Sequence, residues 1–467
     1  MASVTSAGVG SGLDLESIIK ATVSAEDTPK KAIITKRKST LEVNLSGLGV
    51  VKGAMSAFQT AIEKLSKPTT FNARTVNINQ PSGTTYFTAE ASNLTAAGKF
   101  NIDVMSLAKG SRAVSADLSF ASGNDVVSAS GGNLTFAAGS KNFTLAVDPG
   151  ATLTQLRDSI NSSSTNFGVS ATIINTGGAS PQSRLVLTSN VSGDSNDLTI
   201  TGSSAEFNKV ATTAFGGGAG GMEIALADRA SSAKIKVDGI EAVSESNIFT
   251  NAIQDMSITV SKETVSGSPI TMNVETDKAG VKKSIESFIK AFNDVVGVIN
   301  EQTAVGGALQ GDTSIRTIKN TFIRSLSVDS SASGNIKTLF DMGMKLDKNG
   351  LLSLDSTAVN TLDEAMTKSY ADIGNFFTSS TGLATVFKKT ADTYLATDGV
   401  IKRTTDSLNE RLRAVQKDSL DHTYRMEQFE KRLREQYTTL DVTIAKMRST
   451  GDYVSAQLSA LPGFSKS

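Results

Sequence analysis

Apolar residues recur at three different spacings along this chain, and each spacing predicts a different kind of element. From Ile34 one returns every seven positions, at Leu41, Leu48, Met55 and Ile62. A second track, three residues on, starts polar at Arg37 and Asn44 and continues as Val51, Phe58 and Leu65. Two tracks so related form the a/d seam of a coiled coil, so the stretch before Pro68 predicts helix. Gly47, Gly49 and Gly53 interrupt the seam. Each costs up to about 1 kcal/mol of helix propensity relative to Ala, and a bend or hinge is expected there.

The far end carries a longer seam. Leu412, Ser419, Met426, Leu433, Leu440, Met447, Val454 and Leu461 repeat at seven, with one polar member. The companion track runs Leu408, Val415, His422 and Phe429, then resumes as Tyr437, Ile444, Gly451 and Leu458 after a step of eight. Such a slip locally unwinds a supercoil. A helix from about Arg403 to Leu461 is on the order of 90 Å long. No single globular core covers that length, so the seam requires the N-terminal helix, other subunits, or both.

Between the ends the period becomes two. Phe100, Ile102 and Val104 alternate with polar residues, as do Phe143, Leu145 and Val147; Ile235 and Val237; Ile258 and Val260; and Ile270, Met272 and Val274. Clusters such as Ser122-Gly123-Asn124-Asp125 bound these runs, which predicts short strands joined by turns. Leu153, Leu156 and Ile160 share one face of a helix after Asp148-Pro149-Gly150, and Gly216 to Gly221 reads as a loop. Helical spacing of three and four returns at Val281, Ile285, Phe288, Phe292, Val295 and Ile299, and again from Ser314 to Leu326. Helical material before Pro68 and after Asp277 therefore brackets a β region inserted between two halves of one helical stalk.

Composition narrows the chemistry. Lys+Arg and Asp+Glu are both 46, so no net field gathers phosphates, and neither nucleic acid nor membrane insertion is expected. Cysteine is absent, which removes disulfides, thiol chemistry and cysteine metal sites. The single histidine, His422, lies on the heptad track and reads as a packed seam residue. Gly8-Val9-Gly10-Ser11-Gly12 has neither the spacing nor the Lys-Ser/Thr of a phosphate loop. Asp347-Lys348-Asn349-Gly350 lacks the alternating ligands and closing Glu of a calcium loop, and reads as a turn between Met344-Lys345-Leu346 and Leu351-Leu352-Ser353-Leu354. Asp363-Glu364 beside Lys368 reads as solvated helix surface. No constellation supports catalysis, a cofactor or a metal. Met1 to Gly12 has no basic start or apolar core, so no cleaved signal peptide is expected, and no run of about eighteen apolar residues spans a membrane.

Read in order, the motifs resemble the bacterial flagellar filament-capping family, the flagellar hook-associated protein 2 family. Gly8 to Leu15 is similar to its N-terminal lead. Gly98-Lys99-Phe100-Asn101-Ile102-Asp103-Val104 with Leu107-Ala108 resembles its first strand motif. Phe143 to Asn161 resembles the β-turn-β motif shared by flagellin and hook-associated proteins, with a weaker echo from Ile235 to Val260. Met342-Gly343-Met344 with Gly350 to Asp355 resembles its C-terminal hairpin, and the terminal heptad helix completes the match.

The fold expected is α+β and multidomain, a discontinuous coiled-coil stalk built from both termini with β-rich head domains inserted. Terminal segments 1–45 and 412–467 are expected to be disordered in the monomer, and 46–70 with 276–411 to form a helical leg domain. Residues 71–115 with 225–275 are assigned to an inner head domain and 116–224 to an outer one. The seam residues Ile34, Leu41, Leu48, Leu412, Met426, Leu433, Leu440, Met447, Val454 and Leu461 are the candidate assembly surface. The resemblance implies a structural protein at the distal filament tip, a ring of five or six copies that retains exported flagellin and guides its polymerisation. It further implies export through the flagellar type III channel, a cytoplasmic export chaperone at the C-terminal helix, contact with the hook–filament junction protein, and adhesin activity in some members. Another flagellar axial protein (flagellin or hook–filament junction type) and a non-flagellar coiled-coil adhesin share the coarse pattern of helical ends and β middle.

Overall fold

The computed structural model of the chain describes residues 12, 14–177, 181–216, 220–327 and 334–459. The expectations for Gly8 to Ser11, Leu13, Gly217 to Ala219 and Leu461 fall outside these residues. The chain divides into two units, one made of 1–70 and 278–467, the other of 71–277. The architecture is α+β, with helices at both termini and β-rich domains between them.

The described helices are α1 (Leu15–Leu65), α2 (Pro68–Phe71), α3 (Leu153–Ser162), α4 (Lys278–Thr303), α5 (Thr313–Ser325), α6 (Leu362–Lys368), α7 (Tyr370–Thr378), α8 (Leu383–Leu395) and α9 (Val400–Ser459). In the helical unit, α1 starts where the Asp14 carboxylate accepts from the Ser17 amide at 3.0 Å, satisfying one of the donors a helix start leaves open. It packs against α4, α8 and α9. Its C-terminal half enters a core of phenylalanines. The Phe58 ring lies 5.8 Å from Phe288, 5.0 Å from Phe322 and 5.2 Å from Phe387 in tilted and edge-on contacts. Aromatic rings prefer these geometries to face-to-face stacking, because the ring face is negative and its edge positive.

Gly47, Gly49 and Gly53, where a bend or hinge is expected, do not interrupt the helix; α1 runs unbroken from Leu15 to Leu65. Burial of Leu48, Val51, Met55, Phe58, Ile62 and Leu65 on one face outweighs the propensity cost, since packing supplies most of a helix's stability in a protein. Gly47 has its own reason. A Cβ there would stand 2.7 Å from both Ala308 Cβ and Gln302 Oε1, so only glycine lets the loop after α4 approach α1. Gly49 and Gly53 face open space.

Asp347 caps the turn of a short antiparallel hairpin, Met344–Leu346 with Leu352–Leu354. Its carboxylate accepts from the amides of Leu351 and Asn349, both at 2.8 Å, and these hydrogen bonds hold its pKa below the usual range. Those lone pairs are thus engaged by the turn itself. Asp363 lies exposed on α6, as expected of helix surface, and meets Lys282 of α4 at 2.6 Å. Glu364 forms a capping box with Thr361 at the start of α6.

The β-rich unit has two cores. In one, a five-stranded sheet runs in spatial order Arg74–Ile78, Ile270–Thr276, Gly98–Ser106, Ala233–Val237 and Ile240–Ser244. A three-stranded sheet, Ile248–Thr250, Met256–Val260 and Phe87–Ala91, supplies the rest of that core. The predicted alternation holds, with Ile102, Val104, Ile235, Ile258 and Met272 all enclosed. In the other, a four-stranded sheet, a three-stranded sheet and α3 surround Phe120, Phe136, Leu156, Leu185 and Phe207. The strand Gly110–Ser115, which sequence reading assigns to the inner domain, is hydrogen-bonded into this four-stranded sheet by pairing with Gln182–Ser192. Glu206 ties this second core to a turn: it accepts from the Ser128 hydroxyl at 2.5 Å and from the Ser130 amide and hydroxyl at 3.1 and 2.8 Å. Those bonds, the Ser128 hydroxyl foremost, lower its pKa from 4.5 to about 2.

Candidate functional site: the helical seam

α1 and α9 pair antiparallel, as three contacts far apart in sequence establish. Arg434 of α9 grips Glu16 with two hydrogen bonds of 2.6 and 2.9 Å. His422 Nε2 stands 2.9 Å from Asp27 Oδ1. Arg411 and Val415 line one groove with Arg37 and Leu41. As α1 ascends, α9 descends.

The seam residues divide into three groups. Ile34, Leu41 and Leu48 of α1 are buried. Leu412, Met426 and Leu433 of α9 are half-buried. Leu440, Met447 and Val454 are exposed at 44%, 69% and 48%. The Glu16 pair places Arg434 level with the first turn of α1, so α9 from Leu440 onward runs past the helical start of its partner. The repeat on α9 is therefore covered over only part of its length. A helix cannot hide one face by itself, so in a single chain this part of the apolar stripe faces solvent.

Two polar clamps punctuate the covered part. His422 is 5% exposed, packed on the seam as its heptad position predicts, with Asp27 as its partner. Asp27 stands seven residues before Ile34, so extending the repeat one step back would have found it. A polar pair at a seam position, here a buried His422 with a half-buried Asp27, favours one register, because a slip leaves the buried group unpaired. Arg434 also binds Glu430, at 2.7 Å, one turn away on α9. Its guanidinium lowers the pKa of Glu16 from 4.5 to about 2, and the two carboxylates raise that of Arg434. No pattern in the sequence links Glu16 to Arg434, because the two lie hundreds of residues apart.

Family comparison covers both ends of the chain. Flagellar hook-associated protein 2 N-terminus matches residues 11–111, Flagellar hook-associated protein 2 C-terminus matches residues 230–449, and Flagellin hook IN motif matches residues 133–191. The chain is 36% identical to flagellar hook-associated protein 2 of Aeromonas caviae over 464 residues, covering 96% of this chain and 97% of that one. The chain belongs to the flagellar hook-associated protein 2 family. It is 32% identical to the A-type flagellar hook-associated protein 2 of Pseudomonas aeruginosa, with 99% of each chain covered. Its fold is that of the flagellar cap protein FliD D1-D2-D3 domains from Escherichia coli, whose crystal structure superposes with a TM-score of 0.63. That superposition covers 78% of this chain and 99% of that one, at 28% identity. The hook IN motif family falls on the second β core, from the hairpin of Gly132–Ala138 and Lys141–Val147 through α3 to Gln182–Ser192. Among the described residues no helix is long and apolar enough to cross a membrane, and no cluster of His, Asp or Glu has metal-binding geometry.

Proposed function

We propose that this chain is the structural cap at the distal tip of the flagellar filament. Five or six copies assemble as a ring that retains exported flagellin and promotes its polymerisation, with no catalytic step. The observation that carries the reading is the match to flagellar hook-associated protein 2 along 96% of the chain. The uncovered seam at Leu440, Met447 and Val454 supports assembly, since an apolar stripe of that length calls for a partner chain. In this reading Leu440, Met447 and Val454, with Leu461 beyond them, pack between subunits and onto the hook–filament junction protein or filament, whereas Ile34, Leu41 and Leu48, candidates by their spacing, are already buried within one chain. Before export, a cytoplasmic chaperone covers the C-terminal helix. The chain leaves through the flagellar type III channel without losing a signal peptide. Of segments 1–45 and 412–467, expected to be disordered in the monomer, the part of α9 from Leu440 onward gains its cover only in the assembly. An adhesin role for the β-rich unit is compatible with this placement.

The test is a deletion in the bacterium that encodes the chain. Cells without it should not swim and should shed flagellin into the medium, and the wild-type chain should restore filaments with one ring of subunits at each tip by electron microscopy. Labelling along the whole filament would instead favour another axial protein. Normal filaments with no soluble flagellin would overturn the reading.

A further inference from the structure

Beside the covered part of the seam, a groove of about 560 Å³ opens between α1 and α9. Its aliphatic lining is Ile33, Leu41, Ala414 and Val415. Ile33 is 49% exposed although its neighbour Ile34 is buried, so an apolar side chain stands open at the groove's edge. Lys36 and Arg37 of α1 and Arg411 of α9 form the rim, and no Asp or Glu lines the groove.

The charges here differ from those around them. Lys38 pairs with Glu42 at 3.8 Å, Lys402 with Asp406 at 2.5 Å and Lys417 with Asp421 at 3.4 Å, each one turn away on its own helix. Among the described residues, Lys36, Arg37 and Arg411 have no such carboxylate. A second cavity of about 640 Å³ shares Thr40, Asn44 and Arg411 with the first and adds Arg403. The one carboxylate in it, Asp312, is engaged in capping α5 through the Ser314 and Ile315 amides, at 2.9 and 3.2 Å. The combined groove follows α1 from Ile33 to Asn44, about 16 Å or three helical turns. Cations held close together without counter-ions repel one another, and a ligand supplying carboxylates relieves that repulsion. No aromatic side chain lines either cavity, so there is no platform on which a nucleic-acid base could stack.

We propose that this groove docks an acidic amphipathic helix of another protein, one that sets aliphatic residues on Ile33 and Val415 and flanks them with Asp or Glu facing Lys36, Arg37, Arg403 and Arg411. Helix-in-groove recognition reads aliphatic anchors one turn apart, and the cationic rim sets the sign of the partner.

Fluorescence anisotropy on the full chain tests this with two labelled helical peptides that share leucine anchors, one flanked by Glu and the other by Lys. The Glu peptide should bind, more weakly as salt rises, and the Lys peptide should not. The double variant Arg37→Glu/Arg411→Glu, checked for unchanged helix content by circular dichroism, should weaken the Glu peptide by about tenfold or more. Ile33→Ser should weaken it without changing the salt dependence. No binding of the Glu peptide, or binding indifferent to the double variant, overturns the proposal. So does displacement of the peptide by unlabelled full chain together with loss of self-association in the double variant, which would make a second copy the occupant.

Discussion

Residues 48–62 of α1 and residues 440–454 of α9 carry the same repeat, yet they live in opposite surroundings. Leu48, Met55 and Ile62 are completely enclosed, whereas Leu440, Met447 and Val454 stand largely in solvent. The difference lies in the neighbours. The first stretch is surrounded by α4, α8 and α9 and shares a core with Phe288, Phe322 and Phe387. The second extends past the first turn of α1. A heptad repeat says that a stripe exists and which way it faces; what covers it is decided by the rest of the chain or by another molecule. Enclosure and exposure are thereby divided between two segments that carry the same repeat.

Breaking the enclosed end should have the largest effect. Phe58→Ala removes the ring shared by four other phenylalanines and leaves a cavity that the surrounding helices cannot close. We expect a loss of about 3–5 kcal/mol in the helical unit, read by denaturant unfolding, with the transition of the β-rich unit unmoved. A common shift in both transitions would show that the two units do not unfold separately.

The boundary between the two stretches is held by the clamps, and Asp27→Ala tests the inner one. It leaves His422 buried without its carboxylate, at a cost of about 1–3 kcal/mol to the helical unit. Asp27→Asn, which can still hydrogen-bond the ring, should recover part of that loss. Equal losses for the two variants would mean that His422 is held by packing alone.

Much of this comparison is legible in the order of residues alone. The period of two locates five of the strands, those holding Phe100, Phe143, Ile235, Ile258 and Ile270, but not Val169–Thr176 or Gln182–Ser192, and the period of seven locates both stripes and places His422 inside one. Three features are not legible there, each for a physical reason. Glycine propensity is a local quantity, so it gives no sign that α1 continues through Gly47, where the approach of Ala308 is a tertiary fact. The Phe58 cluster joins residues from α1, α4, α5 and α8, and periodicity within one segment cannot pair segments. The Glu16–Arg434 clamp depends on the antiparallel register, which is set by the whole helical unit.

Acid should weaken both units in the same window through different residues. Glu206 in the β-rich unit and Glu16 in the helical unit each have a pKa lowered from 4.5 to about 2. A carboxyl with a lower pKa when folded stabilises the fold at pH above its unfolded value. That contribution is lost as pH falls from about 4.5 through about 2. Calorimetric scans across that window should show both transitions falling. Glu206→Gln should flatten the acid slope of the β-rich unit alone, and Glu16→Gln that of the helical unit alone. A slope unchanged by Glu16→Gln would show that the exposed clamp with Arg434 is screened by solvent to no effect.

The smallest expected effect on stability is the sharpest test of the comparison. Met447→Ser alters a side chain that is 69% exposed, so little apolar surface is transferred to water. The isolated chain should unfold within about 0.5 kcal/mol of the parent, whereas Met55→Ser, the same change at an enclosed position of the other seam, should cost several times more. Equal stability of the Met447 variant and its parent is only half the expectation. If the stripe is covered by a partner in the working assembly, that variant, and a double variant with Leu440→Ser, should fail to restore swimming to a deletion strain although the purified protein is as stable as the parent. A variant that is both stable and fully functional would leave the distal stripe as mere exposed surface. One that unfolds early would mean that α9 beyond Leu440 is already packed within a single chain. Only the combination of unchanged folding and lost assembly is what a seam left open for another molecule requires.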